Sequence, residues 1–389
     1  MYSIYMKKKK LIIKSIISVL FILIFIFLCV IKNNTAYAEW YTNNISTKYI
    51  SFMSKITSNI PFSLYEWIFI ILVILAIYFV VSIIVKLCKK QFYKSLNKFL
   101  SLFIVAFLVT NIYVATASIS YGKESLYVPQ YDQEVNDEFI DQTFDYFLED
   151  YNEISTHFDR NEDGTIISPY TFEELNNILI NEYKRLDPNY YSSFTPNVKK
   201  LTFSNVFTEL HITGVFFAPT GEANINKDIS SVELPHTMAH EMAHSKGIFR
   251  ENDANLLAMY ITLTSDNEYL RYSSYYHNFS SLLRIYAQTN YDKYVKQFNR
   301  LNKDIVKEYA TLNKFWSDHD LLSKVGTFFN DLFLKLNGNK NGVNDYEDNS
   351  KGEDSGKKDE NDQPIYVIKN HSTYAKLFFY LYNEEKNNK

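Results

Sequence analysis

The sequence predicts an α-helical membrane region followed by an α+β exterior domain that is mostly helical with a small sheet. Three observations carry this reading. Three apolar runs, each close to the roughly 20 residues needed to cross a bilayer, crowd into the first 120 positions. Beyond them, apolar residues recur mainly at three- and four-residue spacing, as on a helix face. A single stretch, "HITGVFFAPTGEANIN" over 211–226, alternates apolar and polar residues around a Pro-Thr-Gly turn, as a strand pair does.

The first run, "SIISVLFILIFIFLCVI" at 15–31, is preceded by Lys7, Lys8, Lys9, Lys10 and Lys14. The second, 67–85, is followed by Lys86, Lys89, Lys90, Lys94 and Lys98, and the third, 99–118, has only Lys123 close behind it. Lys-rich flanks stay on the cytoplasmic side. That rule puts the N-terminus inside, 32–66 outside, 86–98 inside and everything after 120 outside. Ala36-Tyr37-Ala38 has the small-x-small pattern of a signal-peptidase site. Cleavage there would still leave the later domain outside.

Charge divides the chain at the same place. The first 120 residues hold 13 Lys, no Arg and two acids, Glu39 and Glu66, whereas the remainder carries 27 basic and 42 acidic residues, a net charge of −15. So acidic a surface argues against a nucleic-acid partner, which would require clustered Lys and Arg. The only cysteines, Cys29 and Cys88, lie in or beside the apolar runs. The exterior domain therefore has no internal disulfide and is held by packing or by metal.

Within the exterior domain, 121–336, helices are expected at 136–158 and 170–186. The loop between them has Asp159, Asn161, Asp163 and Gly164 in the pattern of half a calcium site, but Tyr170 stands where the closing Glu belongs. A solvated turn is the simpler reading. Pro235 opens a helix at the first-turn position, where its missing N–H does no harm. More helices are expected at about 251–265, 272–288 and 291–333. Residues 337–363, polar and almost free of apolar side chains, read as a disordered linker. The final 364–389 contains "STYAKLFFYLY", apolar enough for a helix that docks on the domain.

The segment "HTMAHEMAHSKGIFRENDAN", 236–255, carries the chemistry. His240, Glu241 and His244 spell H-E-x-x-H, and a four-residue interval on a helix points both imidazoles the same way. Two such histidines can grip one Zn²⁺, and Glu241, on a neighbouring direction, can reach water beside it. Gly247 suits the left-handed conformation that ends a helix and reverses the chain. Catalytic zinc usually has three protein ligands and one open position. Glu251 is well placed as the third, with Asp253 as its rival. Asn255, one turn beyond Glu251, can orient a ligating imidazole. His236, at the helix start, suits a cap or rim role.

"HEMAH…ENDAN" resembles the gluzincin signature, H-E-x-x-H followed on the next helix by E-x-x-A-D, found in membrane zinc peptidases of the CAAX-protease and heat-shock type. That resemblance implies zinc on His240, His244 and Glu251 and a zincin-like fold for the domain. Here the signature's last Asp is Asn255, and the interval before Glu251 is much shorter than in those families. More of the chain is similar to an uncharacterised family of bacterial membrane proteins, the domain of unknown function 3810. "NIPFSLYEW", "GVFFAPTGEANIN", "LPHTMAHEMAHSKGIFRENDANLLA" and "RYSSYYHN" carry that likeness.

The expectation is a membrane-embedded zinc peptidase acting on a peptide or protein outside the cytoplasmic membrane, with Glu241 as general base. "GEANIN" is expected to be the edge strand that holds an extended peptide by strand addition. Tyr260, Tyr269, Arg271, Tyr272, Tyr275 and His277 are candidate oxyanion donors. The alternative is a non-catalytic sensor or binding module with a structural or vestigial metal site. An intact Glu241 and the lack of cysteine ligands favour the enzyme.

Overall fold

A computed structural model describes residues 2–125, 128–186, 191–338, 352–358 and 364–388. Three of its helices are long and apolar enough to cross a membrane: Lys8–Lys32, Leu64–Cys88 and Phe92–Thr116. The first and second both pack on the third. Phe25 meets Phe107 edge-on at 6.0 Å, and Asn111 Nδ2 donates to the Phe21 carbonyl at 3.1 Å. Lys14 Nζ reaches the Asn97 carbonyl at 3.1 Å, which sets the Lys-rich start of the chain beside the Lys-rich turn between the second and third helices. The opposite helix ends, Lys32, Leu64 and Thr116, face the remaining domain.

Residues 32–66, expected outside as part of the 1–120 membrane region, are built into that domain. Helix Thr35–Tyr41, a π-helical turn at Thr42–Ser46 and helix Thr47–Thr57 follow the first span, with Asn34 accepting the Tyr37 N–H as N-cap. Tyr49 OH donates to the Pro219 carbonyl at 2.8 Å, Ser54 Oγ to the Gly221 carbonyl at 2.7 Å and Thr57 Oγ1 to the Thr220 carbonyl at 3.0 Å. Gly221 has φ +64°, and a β-carbon there would lie 2.4 Å from Ser54 Oγ, so only glycine serves both the turn and the contact.

The sheet has three strands, β1 (Val198–Lys200), β2 (Gly214–Phe217) and β3 (Glu222–Ile225), in the order β1-β3-β2. β2 and β3 form the hairpin expected over 211–226, with Phe216 opposite Ala223. β1, which no alternation announced, pairs with β3 in parallel. This corrects the expectation that "GEANIN" is an edge strand: β3 is central, and its backbone groups are spent on β1 and β2. β2 is an edge strand instead.

Two buried carboxylates fasten this sheet to the second apolar helix. Glu222 accepts the Leu64 and Tyr65 N–H groups at 3.0 and 3.2 Å, pairs with Lys199 Nζ at 2.5 Å and takes the Thr220 hydroxyl at 2.6 Å. A carboxylate there satisfies first-turn amides and complements the helix dipole. Glu66, in that same first turn, accepts the Thr202 and Phe203 N–H groups at 2.8 Å each. The clamp is reciprocal.

The main core gathers side chains from Asp137–Ile154, Phe172–Arg185, β1, β3 and the helices after residue 234. Two expected helices are broken. The stretch 272–288 becomes Glu268–Asn278 and Ser280–Thr289, and 291–333 becomes Tyr291–Phe298, Lys303–Asp318 and Ser323–Leu336. Asn290 caps the expected start at Tyr291 and Asn302 the new one at Lys303, accepting the Lys293 and Asp304 N–H groups. The loop after 159 is a self-satisfied turn: Asp163 accepts both the Thr165 N–H and hydroxyl.

Within the expected linker, 339–351 and 359–363 lie outside the described residues, but Glu353–Lys358 pairs antiparallel with Pro364–Val367. That part is a hairpin rather than a linker, held by paired backbone and by Lys369 Nζ on Glu353 at 2.5 Å. Helix Thr373–Asn388 docks on the domain, its Phe378 ring 4.8 Å from Phe147.

Candidate metal centre

The motif helix, Leu234–His244, buries Met238, Ala239, Met242 and Ala243 completely. That i, i+1, i+4, i+5 set fixes its rotation, so His236, His240 and His244 share another face, with Glu241 beside them. Pro235 occupies the first turn, as its chemistry requires. Gly247, at φ +77°, turns the chain back. A β-carbon on it would come within 2.9 Å of Thr42 Cγ2 and Thr47 Oγ1, so the turn fits tightly under the segment after the first span.

The reversal sets Glu251 at the start of helix Glu251–Leu263, directly over the motif. His240 Nε2 and Glu251 Oε2 are 3.1 Å apart, and one ligand atom from each of His240, His244 and Glu251 lies within 4.8 Å of the others. Zinc bonded at about 2.0–2.1 Å in tetrahedral geometry needs donors roughly 3.4 Å apart. The cluster thus fits such an ion with small side-chain adjustments. Among the described residues it is the one metal-competent group of this kind.

Second contacts orient these donors. His244 Nδ1 bonds the Ile248 carbonyl at 2.6 Å, so Nδ1 carries the proton and Nε2 keeps its lone pair. Phe249 stacks on the His244 ring at 5.5 Å, and Phe216 from β2 lies 5.9 Å away. Arg250 holds the neighbouring backbone, donating to the Tyr121 carbonyl at 3.1 Å, the Lys123 carbonyl at 2.8 Å and Ser125 Oγ at 2.6 Å. Those three residues follow the third apolar helix, so the segment leaving that helix braces the Glu251 helix.

Burial and charge separate the protonation behaviour of the cluster. Burial lowers His244 to about 4, which keeps it neutral. Burial also opposes charge on His240, but the hydrogen bond and charge of Glu251 outweigh it, and the imidazole rises to about 8. Asn255 adds to that push, although His240 Nδ1 has no hydrogen bond of good geometry. Glu241 is raised to about 8, chiefly by burial, and its Oε2 has no partner. An orphaned buried carboxylate oxygen beside two imidazoles and a second carboxylate is a donor set that suits a divalent cation.

Glu241 lies against Gly214, the first residue of β2. A β-carbon there would sit 2.5 Å from Glu241 Oε1. Gly214 and Phe216 share one face of β2, so this strand runs across the helix face that carries Glu241 and His244. Sequence reasoning missed Gly214, Phe249 and Arg250, and only the glycine in "ITGVFF" gave a signal.

Of the rival and oxyanion candidates, most are engaged elsewhere. Asp253 acts on Lys123 instead of joining the cluster. Tyr269 OH donates to the Ser231 carbonyl at 2.6 Å, Tyr272 OH to Glu308 at 2.6 Å and Tyr275 OH to Asp150 at 2.7 Å, while Arg271 pairs with Asp150 at 3.2 Å. Tyr260 lines a cavity of about 1130 Å³ that includes Glu39, Lys48, Lys123 and Lys246 but none of the three cluster residues. His277 is engaged too, its Nε2 3.4 Å from the Glu233 carbonyl. It stacks on His236 at 4.4 Å, and the charge of His240 reaches both rings. Burial lowers His277 to about 4, so it is a neutral imidazole near the cluster.

Three helices apolar enough to cross a membrane, joined to a mostly helical domain in which Glu251 stands as a third donor beside the two histidines of an HExxH helix and a strand crosses that helix, define the class. The chain belongs to the family described as "Protein of unknown function (DUF3810)", whose profile matches residues 41–350. No curated protein and no solved structure matches it.

Proposed function

We propose that this protein is a membrane-anchored zinc metallopeptidase of the gluzincin type, hydrolysing peptide bonds outside the cytoplasmic membrane. The observation that carries the reading is the convergence of His240, His244 and Glu251 within 4.8 Å, with the Glu241 carboxylate pressed against Gly214 beside them. A purely structural or vestigial site would have no use for that glycine-cradled, unpartnered carboxylate.

His240, His244 and Glu251 would hold the ion, and His240 and Glu251 are partly exposed to solvent. Zinc held there would supply Lewis acidity toward a scissile carbonyl and water. Glu241 takes the water proton and then delivers it to the leaving amine. Its raised proton affinity, about 8 without metal, suits a group that must accept a proton near neutral pH. The edge of β2 offers backbone groups to an extended peptide, in place of the central β3.

The exterior assignment rests on the charge pattern. The domain contacts Lys32, Leu64 and Ser118, at the helix ends opposite the Lys clusters. Retention of those clusters in the cytoplasm leaves the domain outside. The test is zinc analysis of the purified full-length protein together with cleavage of a peptide library. Stoichiometric zinc and cleavage lost in Glu241→Gln support the proposal. A metal-free protein with all sites saturable only by non-specific binding removes it.

A further inference from the structure

Helix Ser323–Leu336 presents its apolar side outward. Val325, Phe328, Phe329, Leu332 and Leu336 recur at helical spacing on one face, and all are exposed, Phe328 by 63 %, Phe329 by 60 % and Leu336 by 73 %. Leu321, just before the helix, is 83 % exposed. The residues that hold it to the domain are Ser323, Gly326 and Leu334, which are buried. A β-carbon on Gly326 would approach the Leu210 carbonyl to 2.3 Å, so the inner face is seated closely. A helix on a water-facing surface has the reverse arrangement, and so continuous an apolar patch marks a binding surface.

The position of the helix says what covers that face. Phe333 packs on Tyr113, in the last turn of the third span, at 5.8 Å. Lys32, ending the first span, reaches the Leu336 carbonyl and Asn337 Oδ1 at 3.5 Å each, and Ser118 Oγ donates to the same Oδ1 at 2.7 Å. Beyond Leu210, helix Ser204–Glu209 adds Val206, 45 % exposed, with Phe203 at 40 % just before it and fixed by Glu66 of the second span. The outward apolar face therefore continues the exposed apolar surface of the three spans. We propose that Ser323–Leu336 is an interfacial helix, its Val325–Phe328–Phe329–Leu332–Leu336 face lying among the acyl chains of the leaflet on the domain's side.

Such a helix fixes the height of the metal centre above the bilayer. Ring contacts run without a gap from His244 to Phe249 at 5.5 Å, Phe249 to Tyr121 at 6.3 Å and Tyr121 to Phe333 at 6.5 Å. The inference rests on the reading of the three apolar helices as membrane spans, and the experiment tests the two separately. In a Cys29→Ser, Cys88→Ser background, nitroxide labels are placed through Phe328→Cys, Asn330→Cys and Ile77→Cys in the full chain. The protein is reconstituted in phosphatidylcholine–phosphatidylglycerol vesicles, and relaxation by oxygen is compared with relaxation by a water-soluble nickel chelate. Labels at 77 and 328 should favour oxygen several-fold over the label at 330. Nickel access at 328 equal to that at 330, with 77 still in lipid, overturns the interfacial helix and leaves the spans standing. Shielding of 328 from both reagents with spin–spin broadening assigns the face to a second copy and also overturns it. Nickel access at 77 removes the membrane reading itself, and the helix proposal with it.

Discussion

A β-carbon at Gly214 would lie 2.5 Å from Glu241 Oε1 and 2.8 Å from its Cγ, so strand β2 touches the general-base candidate through a residue with no side chain. Gly214 has no left-handed backbone to demand glycine; the demand is space. Gly214→Ala should push the carboxylate aside while leaving the metal donors in place. A displacement near 1 Å at a reacting group costs on the order of 10²-fold in rate. The expected result is unchanged zinc content with peptide cleavage reduced by about 10–100-fold. Full activity in this variant would mean that Glu241 does not act from its observed position.

Glu241→Gln keeps the shape of the side chain and removes the base. Turnover should fall by about 10² or more with zinc retained. A second readout comes from the metal-free protein. Folded Glu241 holds its proton to about 8, whereas the unfolded side chain releases it near the ordinary 4.5. The folded state therefore binds more protons between those values, and stability falls as pH rises through that window. His240, raised from 6.5 to about 8, adds loss of the same sign over the upper part. His244 and His277, both lowered to about 4, and Lys246, lowered to about 7, contribute with the opposite sign. The readout is therefore the difference between the two proteins: in chelator, the melting temperature of wild type relative to Glu241→Gln should fall from pH 5 to pH 8. A difference independent of pH would assign the titration to other groups.

The third ligand is tested by subtraction. Glu251 Oε2 stands 3.1 Å from His240 Nε2, while Asp253, two residues further along the helix, faces Lys123. Glu251→Ala should abolish stoichiometric zinc in the purified protein. Asp253→Ala should retain it, and Asn255→Ala should retain it with affinity weakened about 10–100-fold, the usual cost of losing an orienting contact. Zinc lost from Asp253→Ala and kept by Glu251→Ala would reverse the assignment.

The Lys199–Glu222 pair predicts a stability effect remote from the metal. Both side chains are almost wholly buried, and Glu222 also caps the second span. Removing one partner of such a pair costs about 3–5 kcal/mol, because the other charge stays buried. Lys199→Met should lower the melting temperature in detergent strongly. Lys199→Met with Glu222→Gln should recover part of that loss, since no uncompensated charge remains. Equal melting temperatures for wild type and Lys199→Met would show the pair to be incidental.

What the sequence made legible were features set by short-range periodicity. The apolar spans, the motif helix with Pro235 and Gly247 at its ends, and the β2–β3 hairpin all announce themselves within about twenty residues. What it hid depends on distant partners. β1 has three residues, too few to alternate, and exists because β3 offers a parallel edge. For the same reason "GEANIN" could not be read as central, since only the arrival of Val198–Lys200 makes it so. Glu66 looked like one of two stray acids in a basic segment, yet its role is to receive the Thr202 and Phe203 amides. At the candidate metal cluster, the donors were visible as a spacing, whereas the glycine cradle and the Ile248 carbonyl become meaningful only after the chain folds back.

The last prediction concerns the side of the membrane. Both Lys clusters gather at one end of the three apolar helices, with Lys14 bonded to the Asn97 carbonyl, and the domain joins the other end through Leu64 and Ser118. Retention of positive flanks in the cytoplasm then directs the domain outward. Cys88 is exposed at the clustered end and serves as a native reporter there. Lys357, exposed in the hairpin strand Glu353–Lys358, provides the other site. In a Cys29→Ser background, Cys88 should resist an impermeant maleimide on intact cells and react only after lysis. In the Cys29→Ser, Cys88→Ser background, Lys357→Cys should react at once. The reverse pattern would turn the whole protein over and place its metal centre in the cytoplasm. Reaction of both sites on intact cells would mean that the two ends do not lie on opposite sides of a sealed bilayer, and the spans would have to be reassigned.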